Sequence, residues 1–175
     1  MVADDRQQNM TITGTDALHD SSLNMALDGV LDGPCHRYTL RVQYEDTDAG
    51  GITYHAQYLA FAERARSAWL RCLEIDQPTM LTAESRGFVV RRIEIDFLLS
   101  SGLGNVLEVE SRLLRLGGAS LELKQNIMNR ENGHILALLF IDLGLVEFRK
   151  GGPAKICRLP AGIKTKFSGL VTATR

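Results

Sequence analysis

From His36 the chain alternates, with Tyr38, Leu40, Val42 and Tyr44 set against Arg37, Thr39, Arg41 and Gln43. That period of two predicts a half-buried strand, ended by the acidic stretch that runs into Gly50-Gly51. The period then lengthens. Tyr58, Phe61, Ala62, Ala65, Trp69 and Leu73 fall on one face of a helix predicted from about Ala56 to Cys72 or Leu73, and Glu63, Arg64, Ser67 and Arg71 fall on the other. Beyond Gly87 four strands follow: Phe88 to Leu99, Val106 to Leu116, Ala119 to Asn129 and Ile135 to Phe148. Gly117-Gly118 and Asn132-Gly133 supply two of the turns between them. The near-continuous hydrophobicity of the last strand predicts cover on both faces, from the helix and from a second subunit. Pro160 suits the first turn of a terminal helix through Phe167. The order strand, helix, four antiparallel strands predicts an α+β fold. In it one curved five-stranded antiparallel sheet wraps a single central helix of about 17 residues, about 25 Å long.

Residues 1 to 34 differ from the rest in lacking aromatics. Leu23, Ala26, Leu27, Val30 and Leu31 recur there at helical spacing, with Ser21 and Ser22 placed to cap and Asp32-Gly33-Pro34 placed to stop. This segment reads as a mobile extension with one short helix, residues 35 to 168 as the domain proper, and 169 to 175 as an untethered tail.

Composition narrows the function. A chain of 175 residues with 45% hydrophobic and 23% charged residues is one globular domain in size and kind. Twenty basic residues against 21 acidic ones leave no electrostatic footprint for nucleic acid. Cys35, Cys72 and Cys157 make neither a disulfide framework nor a zinc spacing. The opening residues, with Asp4 and Asp5, do not resemble a secretory leader, and the apolar run from Ile135 to Leu145 is interrupted by Asp142 and too short to span a bilayer as a helix. A cytoplasmic location with no transmembrane segment is expected.

The chemistry concentrates in YEDTDAGGITYH, Tyr44 to His55. An Asp ahead of a glycine turn commonly serves the turn itself by accepting backbone N–H bonds. Here, however, a helix begins directly afterwards, and its first N–H groups, with the helix dipole, favour negative charge. Aimed at a carbonyl, they form an oxyanion hole, and Gly50-Gly51 permits close approach of a ligand. A carboxylate beside that hole can attack the carbonyl or activate water. Acyl transfer to water is the matching reaction. Asp46, Asp48 and His55 have no second histidine nearby in sequence, so neither a metal site nor a cofactor is expected.

The run RVQYEDTDAGGITYHAQYLAFAERAR, Arg41 to Arg66, resembles the signature of the hot-dog-fold acyl-CoA thioesterases of the 4-hydroxybenzoyl-CoA thioesterase superfamily, YbgC type. The resemblance continues more loosely through GFVVRRIEIDF, Gly87 to Phe97, and LPAGIKTKF, Leu159 to Phe167. It implies a fold in which a sheet wraps one long helix, a homodimer or homotetramer with active sites at the subunit interface, and an acyl-CoA substrate. It also implies Asp48 as the catalytic carboxylate, His55 as the residue whose backbone N–H polarises the thioester carbonyl, and Tyr44 as the strand-end tyrosine of the site. Gly51 and Tyr54 are expected to touch substrate, and so are Phe88 and Val89, on a strand expected to reach the helix start. A binding module for acyl carrier protein and a hot-dog dehydratase are the alternative readings.

Overall fold

The computed structural model describes residues 27–172. Its strands are β1 (Val30–Asp32), β2 (Cys35–Arg41), β3 (Arg86–Phe97), β4 (Val106–Leu116), β5 (Ser120–Asn129), β6 (Ile135–Glu147) and β7 (Lys155–Ile156). Its helices are α1 (His55–Cys72), α2 (Gln77–Glu84) and α3 (Ala161–Ser168). The strands form one antiparallel sheet in the order β1-β2-β4-β5-β6-β3, with β7 paired to β6. The sheet wraps α1, as the patterning predicts, in the hot-dog fold that the resemblance implies.

The core lies between α1 and the concave face of the sheet. Phe61, Ala62, Ala65 and Trp69 of α1 meet Leu107 and Val109 of β4, Leu121 and Ile127 of β5, and Leu139, Ile141 and Leu145 of β6, all buried. The opposite face of β6 is only half-buried in the protomer, and there Lys124 Nζ lies 5.8 Å from the centre of the Phe140 ring. Arg66 of α1 is turned into this core. Its guanidinium donates to Gln125 Oε1 at 2.7 Å and to Glu63 Oε2 at 2.5 Å, and Gln125 Nε2 donates on to Ser111 Oγ and the Ala62 carbonyl. Lys166 of α3 donates to the Leu73 and Glu74 carbonyls, closing the C-terminal end of α1 as a cation suits a helix C-terminus.

Five expectations change. The sheet has seven strands rather than five, because β1 and β7, three and two residues long, are too short to show a period. Most of the N-terminal helix expected from the Leu23 to Leu31 spacing lies outside the described residues, but Val30 and Leu31 belong to β1. Gly29 turns the chain at φ 74°, where an added Cβ would sit 2.1 Å from the Arg37 carbonyl oxygen. Nor is the stretch from Asp28 to Asp32 loose: β1 pairs with β2, and Asp28 binds His36 and Arg71. At the other end Val171 bridges to Leu113, and Thr172 N–H donates to the Leu113 carbonyl at 2.8 Å. The expected strand through Tyr44 stops at Arg41, since the Asp46 carboxylate accepts the Gln43 N–H at 2.8 Å and winds residues 44 to 46 into a 3-10 turn.

His36 ties the N-terminal hairpin to the core. Its ring is fully buried and stacked on Trp69, Nε2–H donates to the Asp28 carbonyl at 2.7 Å, and Nδ1 has no partner among the described residues. Burial pushes its pKa below the ordinary imidazole value of 6.5, against the smaller opposing effect of Asp28. The unfolded chain therefore takes up a proton that the fold refuses. The stability contributed by neutral His36 is complete above about pH 6.5 and declines as pH falls toward the lowered folded value. Thermal melts of the wild-type protein should fall from pH 7 to pH 5.5, more steeply than those of His36→Gln, which keeps a donor and cannot titrate. Equal slopes would show that His36 is not the proton-linked group.

Candidate active site

The acidic stretch closes into a small loop held at both ends. Thr47 and Thr53 form an antiparallel bridge, and the Asp48 N–H donates to the Ile52 carbonyl at 3.0 Å. At the tip, Asp48 Oδ1 accepts the Gly50 N–H at 2.8 Å, and its carbonyl accepts from Gly51, whose φ is 77°. The carboxylate is exposed, so one oxygen serves the turn and the other faces outward. Asp46 has the opposite character: it is fully buried, holding Gln43 N–H through its side chain and Tyr54 N–H through its carbonyl. Its contacts build the loop.

The loop leads straight into α1. Thr53 N–H donates to the Ser101 carbonyl at 2.8 Å, Tyr54 caps the helix in an extended conformation, and His55 is the first helical residue. Among the described residues no acceptor meets the backbone N–H groups of His55 and Ala56, as the geometry of a helix start requires. The His55 ring lies 4.4 Å from Tyr54 and edge-on to Phe97 at 6.2 Å. Beside it opens a cleft of about 290 Å³ lined by Ile52, Thr53, His55, Tyr58 and the Phe97 to Ser100 stretch. A larger cavity of about 410 Å³ lies at the other end of α1, by Arg71, Ile75 and Pro78, far from the acidic loop.

The structure thus gathers Asp48, Gly51, Tyr54 and His55 at one end of α1. Tyr44 sits at the start of the 3-10 turn and is 82% exposed, on the surface rather than in the core position its alternation implied. Phe88 and Val89 do not reach the helix start within this protomer. It is the Phe97 end of β3 that does so, and nine residues of strand set Phe88 about 30 Å away. The cleft residues missed in sequence are Ile52, Thr53, Tyr58 and the stretch after Phe97. Tyr58 carried a signal, lying three residues after His55 on the same helix face. No cysteine lines this cleft, and burial, with the Glu110 carboxylate beside it, pushes the Cys35 thiol up to about 12. Among the described residues no group of three or more His, Cys, Asp and Glu side chains converges as a metal site would require.

The thioesterase superfamily matches this chain over residues 50–135, a segment that contains the helix start and begins just after Asp48. The acyl-CoA thioesterase YbgC of Haemophilus influenzae is 36% identical over 133 residues, 76% of this chain and 94% of that protein. A probable thioesterase from Bartonella henselae superposes with a TM-score of 0.65 at 33% identity, over 72% of this chain and 99% of its own. At 19% identity the 1,4-dihydroxy-2-naphthoyl-CoA thioesterase from Synechocystis shares the fold, with a TM-score of 0.70 over 77% of this chain and 96% of its own. A sheet wrapped round one helix, with an acidic loop at the helix start, makes this chain a hot-dog thioester hydrolase. Among the described residues no helix is long and apolar enough to cross a membrane. The chain belongs to the thioesterase superfamily, among the relatives of the YbgC-type acyl-CoA thioesterases.

Proposed function

We propose that this chain hydrolyses acyl-CoA to the free acid and coenzyme A, with Asp48 as nucleophile or general base and the His55 backbone N–H as oxyanion donor. The observation that carries the reading is the closed Asp48 to Ile52 loop running directly into a helix whose first N–H groups meet no acceptor among the described residues. A thioester carbonyl placed against those groups is polarised as its oxygen gains charge. In one route the Asp48 carboxylate attacks the carbonyl carbon, the C–S bond breaks, and the thiolate leaves and takes a proton from water. A second water then hydrolyses the acyl anhydride and restores the carboxylate. In the other route Asp48 takes a proton from water as that water attacks, and the leaving thiolate recovers a proton. The apolar walls of the cleft suit the acyl chain.

Assembly bears on the same site. β3 is the outermost strand of the sheet, and among the described residues no strand pairs with its outer edge. Antiparallel pairing of β3 with its copy about the strand's midpoint brings the Phe88 and Val89 end of one protomer beside the Phe97 end of the other. That dimer returns Phe88 and Val89 to the substrate, contributed from the second subunit. The test of function is direct: free thiol released from short aliphatic, long fatty and aromatic acyl-CoAs by the purified chain. Turnover of at least one class is expected, and no release from any of them would overturn the reading.

A further inference from the structure

Under the cleft, three hydroxyl side chains from three separate segments meet. Thr53 precedes the helix cap, Tyr58 lies in the first turns of α1, and Ser101 comes from the loop after β3. The Thr53 and Ser101 hydroxyl oxygens are 2.7 Å apart, and those of Ser101 and Tyr58 are 3.1 Å apart. Thr53, Tyr58 and Ser101 are 4%, 3% and 4% exposed, so bulk water contributes little to satisfying them. Their hydrogens can be counted. Three hydroxyls carry three hydrogens and the two contacts use two, so whichever way the bonds point one O–H remains. Among the described residues no other acceptor meets it. A buried donor left without an acceptor costs free energy that a ligand oxygen can recover.

Both ends of this hydroxyl chain, Thr53 and Tyr58, line the cleft beside His55, and the neighbouring walls of Ile52, Phe97, Leu98 and Leu99 are apolar. A plain hydrocarbon acyl group would fill that space and leave the O–H stranded. An acyl group with a hydroxyl or keto oxygen would accept it. We propose that the linked Thr53, Ser101 and Tyr58 hydroxyls select acyl groups carrying a hydrogen-bonding oxygen over their hydrocarbon analogues. Tyr58 follows His55 by three residues, about 4.5 Å along the helix axis, so the selected oxygen lies within a few bonds of the thioester carbon. The inference rests on the acyl-CoA thioesterase reading and adds to it the kind of acyl group preferred.

The experiment compares kcat/KM within two matched pairs, 3-hydroxybutyryl-CoA against butyryl-CoA and 4-hydroxybenzoyl-CoA against benzoyl-CoA. The wild-type chain should favour the oxygenated member of at least one pair by about tenfold or more, and the pair that shows it tells an aliphatic oxygen from an aromatic one. Tyr58→Phe and Thr53→Val each cut the chain and should bring that ratio toward one, while Thr53→Ser keeps the hydroxyl and should keep the ratio. A general loss of fold or activity lowers both members of a pair together and leaves their ratio alone. Ratios near one for both pairs in the wild type, or a ratio that survives both cutting substitutions, would overturn the proposal. Turnover of long fatty acyl-CoAs with none of these four cleaved overturns this proposal and leaves the acyl-CoA reading standing, whereas no thiol release from any acyl-CoA class defeats that reading and takes this one with it.

Discussion

Asp48→Asn is expected to leave a folded protein with almost no turnover. Asn keeps a side-chain oxygen in the place of Oδ1, so the 2.8 Å bond from the Gly50 N–H survives and the loop keeps its shape. What is lost is the negative charge on the outward oxygen, and with it both the nucleophile and the base. Loss of general base help costs about 10² to 10⁴ in rate, and loss of a nucleophile can cost more. Asp46→Asn makes a useful contrast. Asp46 is fully buried, bonded to Gln43 and Tyr54, and has one oxygen without a partner among the described residues. Its replacement should show chiefly in the melting temperature, with a smaller loss of kcat. Near wild-type kcat in folded Asp48→Asn would remove the central claim about the chemistry.

At His55 the backbone and ring contributions can be separated. The ring touches Tyr54 and Phe97 at the cleft wall, whereas the N–H stands at the first position of α1. His55→Ala removes the ring and keeps the N–H, so a moderate loss of turnover is expected. His55→Pro also removes the donor, and proline is well tolerated at a first helical position because that N–H has no intrahelical acceptor. Loss of one oxyanion donor should cost a further 10² to 10³, approximately, in kcat, with the circular dichroism spectrum and oligomer size unchanged. If folded His55→Pro matched His55→Ala, the donor would have to be another group at the helix start.

If Asp48 also proves to attack the carbonyl directly, turnover in oxygen-18 water will place label in its carboxylate, whereas label confined to the product acid marks the general-base route. Neither result alters the geometry of the loop, only the step it performs.

The long elements were legible in the sequence, because each is long enough to repeat its period several times. β3 to β6 begin and end within a few residues of the positions read from alternation, and α1 starts one residue before its predicted start. The acidic loop and the helix start were legible together for a local reason: Tyr44 to His55 are neighbours in the chain, so their proximity needs no tertiary contact. α2 was overlooked although Asp76, whose side chain accepts the Thr79 N–H, and Pro78 mark its start, since Met80 is its only buried residue and leaves no apolar stripe. β1 and β7 are strands only because β2 and β6 pair with them. Only the tertiary structure decided which end of β3 meets the helix start. That depends on the sheet order and on a register in which Phe97 faces Ala137, both products of long-range pairing. The same holds for Arg66, whose acceptor Gln125 lies 59 residues away, and for Ser101, joined to Thr53 across 48. A local pattern states which face of an element is apolar, whereas the identity of the groups facing it is settled when distant segments pack.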